Sequence, residues 1–157
     1  MTATKSILII EESPEDRAVY RRYLKGEVEL NLDIYECESG EKALELCLDI
    51  NPDLILVDYL LPDMDGLEFI ETCRKVKGLN KFQAVLLTGQ GNEAIALKAM
   101  KKNVRDYLIK GEMTPESLGQ TVRKALAVGE PIASLDIPGN FRQILTKKTG
   151  KLTHFKK

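Results

Sequence analysis

The sequence predicts an α/β protein: a doubly wound, five-stranded parallel sheet of order 2-1-3-4-5 with helices on both faces. Three observations predict it. Five short apolar runs, residues 7–10, 32–35, 54–57, 84–87 and 107–109, are spaced along residues 5–128. Most are continuously apolar rather than alternating, the pattern of strands covered by helices on both sides. Between them lie segments of helical period, and a strand–helix alternation with right-handed crossovers leaves few topologies.

Each element has its own signals. The run 7–10 is followed by Ser13, Pro14, Glu15 and Asp16, which read as an N-cap, a proline at the first helical position and acids in the first turn. After 32–35, Ser39 caps a helix expected to bury Ala43, Leu44, Cys47 and Leu48. After 54–57, Asp65 with Glu68 three residues on has the pattern of a capping box. Asn92 caps a fourth helix carrying Ile95 and Ala99. Thr114 and Pro115 open a fifth, whose Leu118, Val122, Ala125 and Leu126 share one face.

The bulk properties bound the function. A chain of 157 residues holds one domain and a short appendage. With 43% hydrophobic residues, 30% charged residues and a net charge of -1, no global field selects nucleic acid or membrane. The apolar runs are too short to span a bilayer and the opening MTATKS lacks a signal-peptide pattern, so the expected location is cytoplasmic. Cys37, Cys47 and Cys73 lack metal or disulfide spacing and read as reduced core residues. Residues 129–157 carry six Lys and Arg against two acids, a net +4 that leaves -5 on residues 1–128. They read as a basic tail or linker rather than a nucleic-acid-binding arm.

In open α/β sheets the ligand site lies outside the carboxyl ends of the strands, where strand order reverses. Those ends carry Glu11 and Glu12 after the first run, Asp58 after the third, Thr88 after the fourth and Lys110 after the fifth. Order 2-1-3-4-5 brings three carboxylates together, which repel unless a cation sits among them. An all-oxygen set without histidine or thiolate suits a hard ion, Mg²⁺ before others. The Thr88 hydroxyl and Lys110 ammonium complete a cradle for a phosphoryl group.

At these residues, in EES, LVDYLLPDMDG, LLTG and DYLIKG, the chain resembles the receiver domain of two-component response regulators, the CheY-like superfamily with a flavodoxin-like fold. The resemblance covers nearly all of residues 5–128 and implies a receiver domain over 1–128, followed by the tail at 129–157. It implies that Asp58 accepts a phosphoryl group from a phosphohistidine of a sensor histidine kinase or phosphotransfer protein. It further implies a metal site of Glu11, Glu12, Asp58 and the Leu60 backbone carbonyl, holding Mg²⁺ with Mn²⁺ as a substitute. Thr88 and Lys110 would contact the phosphoryl group, and Tyr107 would be the aromatic switch residue that turns inward as Thr88 swings. The implied role is that of a signalling domain that catalyses only its own phosphorylation and dephosphorylation. Its partners would be the kinase, a downstream protein or fused output domain, and a second copy in a homodimer, with neither nucleic acid nor membrane bound directly.

Three positions depart from the commonest receiver pattern. Both members of the acidic pair are glutamates; Gly111 follows the site lysine where proline is common; and Leu60 and Gln90 flank the place of the attacking water. The double glutamate supports a rival reading, a phosphorylation-independent pseudo-receiver that only docks partners. Asp63 and Asp65 form a DxD pair, read as turn and N-cap residues rather than metal ligands. A DxD metal nuclease would leave Thr88 and Lys110 without a role, and a flavodoxin-type cofactor site lacks its glycine-rich phosphate loop.

Overall fold

A computed structural model describes residues 3–127 apart from positions 28 and 80. The tail at 129–157 and the boundary at 128 therefore lie outside the described residues. Five parallel strands, β1 (Lys5–Ile10), β2 (Leu32–Cys37), β3 (Leu54–Asp58), β4 (Gln83–Thr88) and β5 (Asp106–Ile109), form one sheet of order β2-β1-β3-β4-β5. Each of the first four is followed by a helix that returns the chain: α1 (Pro14–Lys25), α2 (Gly40–Ile50), α3 (Gly66–Lys75) and α4 (Glu93–Lys101). After β5 a 3-10 turn (Lys110–Glu112) leads to α5 (Pro115–Ala127).

The continuous apolar runs are explained by two cores, one per sheet face. Leu8, Ile10, Ile55, Val57, Ala84 and Leu86 pack with residues of α2, α3 and α4, among them Ala43, Phe69 and Ala96. Ile7, Ile9, Leu54, Leu56, Val85 and Leu87 pack with α1 and α5 through Tyr20, Leu24, Leu118 and Val122. Because successive strand side chains point to opposite faces, a strand covered on both sides has no polar positions to alternate with.

Helix starts follow the expected caps. Ser13 Oγ accepts from Asp16 N–H, Ser39 Oγ from Lys42 N–H, Asp65 Oδ1 from Glu68 N–H, and Asn92 Oδ1 from Ala94 and Ile95 N–H. Thr114 Oγ1 accepts from Ser117 N–H at the start of α5. One core expectation is corrected: Leu48 is 63% exposed. The buried stripe of α2 runs through Ala43 and Cys47, with Leu46 and Ile50 packed against the core, and Leu48 projects off it. All three cysteines are buried, and burial pushes the Cys37 thiol up to about 11, with its hydrogen bond to Ser39 O offsetting part of the rise.

Candidate functional site

The strand ends build the site. In the β1–β3 register Ile10 pairs with Val57, so Glu11 and Asp58 occupy the next positions along neighbouring chains. Both are buried, at 2% and 5% exposure. Two carboxylates so placed require a cation, and Lys110, just past β5, supplies it. Its Nζ lies 2.8 Å from Asp58 Oδ2 and 2.7 Å from Glu11 Oε1, with Asp16 Oδ2 at 3.6 Å. Burial alone would lower the lysine pKa, but the hydrogen bonds that the ammonium donates to Asp58 and Glu11 outweigh it and hold the ammonium above its ordinary value.

The remaining carboxylate oxygens are also engaged. Asp58 Oδ1 accepts from Leu60 N–H at 3.2 Å. Glu11 Oε2 accepts from Ser13 N–H at 3.0 Å, and Oε1 takes the Tyr20 hydroxyl at 3.4 Å. Burial first, then the nearby Glu11, Asp16 and Asp58 charges, push the Tyr20 phenol well above its usual pKa. The expectation of three converging carboxylates is met by two. Glu12 is exposed, and among the described residues no group of three or more acid, histidine or cysteine side chains is placed to hold a metal ion. Glu11 and Asp58 are paired by the Lys110 ammonium, whereas Glu12 points to solvent. The donor set of Glu11, Glu12, Asp58 and a backbone carbonyl nevertheless has the hard-oxygen chemistry that suits Mg²⁺.

The loop after Asp58 is fixed by PDMDG. Asp63 caps a helix other than its own: Oδ1 accepts from Gly40 N–H at 2.9 Å and Oδ2 from Glu41 N–H at 2.8 Å, at the start of α2. These bonds, Gly40 first, hold the Asp63 carboxyl below its usual pKa. Asp65 caps α3 through Oδ1, so both aspartates of the DxD pair act as helix caps. Gly66 is demanded by close approach, since a Cβ there would lie 2.5 Å from the Asp58 carbonyl oxygen, and its N–H donates to Tyr59 O at 2.7 Å. Leu60 carries an exposed side chain, at 71%, beside the site.

Thr88 ends β4, and its hydroxyl donates to Gln90 O at 3.2 Å rather than toward Asp58. The Tyr107 hydroxyl donates to the same carbonyl at 3.4 Å and accepts from Asn92 N–H at 3.0 Å. With its residue 1% exposed, the Tyr107 ring lies inside. The hydroxyls of Thr88 and Tyr107 meet at one carbonyl of the β4–α4 loop, so their positions are linked. Gly111 lies in the 3-10 turn, with open space around its missing Cβ, and among the described residues every peptide bond is trans.

The sequence showed the strand-end residues but not what holds them. Arg17, whose Nη1 donates to Glu11 O at 2.6 Å, Tyr20 and Asp63 were missed in these roles because their partners lie on other elements. The signal available for the first two was their spacing, one helical turn apart on the helix that follows the acidic pair.

The model of the response regulator receiver domain family matches residues 7–123, which span the whole of this site. The chain belongs to that family. The receiver domain is 33% identical over 109 residues to the transcriptional regulatory protein ResD of Bacillus subtilis, covering 69% of this chain and 43% of ResD. It is 29% identical over 107 residues to the transcriptional regulatory protein SrrA of Staphylococcus aureus, covering 68% of this chain and 42% of SrrA. The chain thus spans less than half the length of the curated relatives it matches. A putative response regulator from Chloroflexus aurantiacus superposes with a TM-score of 0.73 at 25% identity, covering 80% of this chain and 100% of that chain. The chemotaxis response regulator CheY4 of Vibrio cholerae shares the fold, with a TM-score of 0.68 at 20% identity over 79% of this chain and 100% of its own. The five-stranded order, the CheY-like fold and membership of two-component response regulators are thereby established. Among the described residues no helix is long and apolar enough to cross a membrane.

Proposed function

We propose that this receiver domain accepts a phosphoryl group on Asp58 from the phosphohistidine of a sensor histidine kinase or phosphotransfer protein, with Mg²⁺ as cofactor. The observation that carries the reading is the buried Asp58 carboxylate at the end of β3, held 2.8 Å from the Lys110 ammonium. In the transfer an Asp58 oxygen forms the new P–O bond as the P–N bond to the imidazole breaks, and the imidazole nitrogen keeps the electron pair. Phosphoryl transfer needs in-line positioning and charge neutralisation more than covalent help. Lys110 is placed to pair with the added charge, and the Thr88 hydroxyl, at the end of the adjacent strand, is the donor that would turn to a phosphoryl oxygen. Mg²⁺, held by Glu11, Glu12, Asp58 and the Leu60 carbonyl, would supply further positive charge at the phosphoryl oxygens.

Release of Gln90 O by Thr88 would leave Tyr107 as the remaining hydroxyl on that carbonyl. The β4–α4 loop and the surface of α4 and β5 would then present a changed face to a downstream protein, a fused output domain or a second copy. The partner-docking face is thus coupled to Asp58 through two hydroxyls and one carbonyl.

A specific observation favours a second reading. Both Glu11 oxygens are occupied by protein groups, as expected of a pseudo-receiver that docks partners without phosphorylation. Incubation with Mg²⁺ and acetyl phosphate, followed by intact mass, separates the two. One phosphoryl increment that is lost in Asp58→Ala supports phosphoacceptance, and its absence in the parent leaves the docking module.

A further inference from the structure

Resting on the phosphoacceptor reading, we propose that Asp63, seated on the start of α2, is a positioning residue for the Asp58 nucleophile. The chain from Tyr59 to Gly66 folds into a narrow hairpin. Gly66 N–H donates to Tyr59 O at 2.7 Å, Leu60 and Asp65 form an antiparallel bridge, and Leu61 N–H donates to Met64 O at 3.2 Å. The base of the hairpin is tied to the sheet, where Tyr59 N–H donates to Leu87 O on β4 at 2.7 Å. Near that base, Leu60 N–H holds Asp58 Oδ1 at 3.2 Å while Lys110 holds Oδ2 at 2.8 Å. One oxygen of the nucleophile is therefore oriented by a lysine and the other by the backbone of the hairpin.

Asp63 anchors the tip of the hairpin on another element. The first N–H groups of a helix lack acceptors within it. At α2 three of them are met by side chains. Ser39 Oγ takes Lys42 N–H, and the two Asp63 oxygens take Gly40 N–H at 2.9 Å and Glu41 N–H at 2.8 Å. Two bonds to one planar carboxylate fix its direction as well as its distance, and its charge suits the positive end of the helix. Met64 adds an apolar contact beside them. A Cβ on Gly40 would lie 2.6 Å from Met64 Sδ, so the thioether fills the space that the glycine leaves. With its tip held in this way, the hairpin keeps the Leu60 amide on Asp58 Oδ1. Phosphoryl transfer depends on in-line placement of the attacking oxygen, and an ångström of misplacement costs on the order of 100-fold in rate.

The test uses the full chain with Asp63→Ala, Asp63→Asn and Ser39→Ala, each treated with acetyl phosphate and Mg²⁺ and followed by intact mass. Asp63→Ala is expected to gain the phosphoryl increment about 10-fold more slowly than the parent, and Asp63→Asn, which keeps one acceptor, to fall between them. Ser39→Ala removes a cap from the same helix end and is expected to keep the parent rate. A parent rate in Asp63→Ala overturns the proposal. So does an equal loss in Ser39→Ala, which would trace the effect to the stability of α2. Amide exchange in metal-free, unphosphorylated protein is a separate readout. The Leu60 and Leu61 amides are expected to exchange about 10-fold faster in Asp63→Ala and at the parent rate in Ser39→Ala. If the parent gains no phosphoryl group, the phosphoacceptor reading fails on its own, and exchange at these two amides still decides whether Asp63 seats the hairpin. Unchanged exchange in Asp63→Ala overturns that seat.

Discussion

The Lys110 ammonium lies 2.8 Å from the Asp58 carboxylate and 2.7 Å from that of Glu11, bridging two buried acids from neighbouring strands. One lysine just past β5 therefore neutralises the charge concentrated at the ends of β1 and β3. The same ammonium that stabilises the resting site stands where the charge of a phosphoryl group on Asp58 would develop.

Replacing Lys110 with methionine leaves two buried carboxylates without their cation. The expected loss is about 3 kcal/mol, the scale for breaking a buried ion pair, read by urea unfolding at neutral pH. Adding Asp58→Asn to Lys110→Met recovers part of it, because one unpaired charge is removed. The sign with pH follows from the raised lysine pKa. The pairing is fully present at and below the ordinary lysine value and is lost as pH rises through the higher folded value.

Gly66→Ala is expected to destabilise the fold by about 1–3 kcal/mol, the cost of overpacking, because the new Cβ meets the Asp58 carbonyl backbone rather than a flexible side chain. The same variant should slow phosphorylation by small phosphodonors, since relief of the clash moves the nucleophile's own peptide. Alanine at Gly111, where a Cβ meets nothing within 4 Å, serves as the control and should be close to neutral in urea unfolding.

Asp63→Ala removes two acceptors from the start of α2, for an expected loss of about 1 kcal/mol at neutral pH. The Asp63 pKa is depressed in the fold, so its contribution is present above the pKa of the unfolded carboxyl. It is lost as pH falls through the lower folded value. Unfolding curves of parent and variant should therefore converge in acid, and a gap that stays constant would show that the capping is not ionic.

Tyr107→Phe deletes the hydroxyl that ties Asn92 N–H and Gln90 O to the inside of the sheet. The expected cost is about 1 kcal/mol in urea unfolding. Faster amide exchange confined to the β4–α4 loop and the first turn of α4 would locate the effect. Unchanged exchange there would separate Tyr107 from the loop and remove the link to Thr88.

These predictions divide between what the sequence exposes and what only the fold brings together. Ser13, Ser39, Asp65 and Asn92 were legible as caps because each acts on amides two or three residues away, within reach of a sequence pattern. The strands were legible because burial on both faces leaves continuous apolar runs. Asp63 was read as a local turn residue, whereas its partners Gly40 and Glu41 lie on the preceding helix. For Glu11 the strand-end position could be read, but not its engagement with Ser13, Tyr20 and Lys110, which depends on side-chain directions from three elements. The carbonyl that Tyr107 shares with Thr88 was likewise illegible, because it lies in a loop between them.

The central claim is that Asp58 is a working phosphoacceptor despite the double glutamate. Its most direct test is treatment of the full chain with acetyl phosphate and Mg²⁺, reductive trapping of any acyl phosphate with borohydride, and peptide mass mapping. A Mg²⁺-dependent conversion of Asp58 alone to homoserine, abolished by chelator, is the predicted result. An unmodified Asp58 peptide, or trapping that falls on another carboxylate, would contradict it.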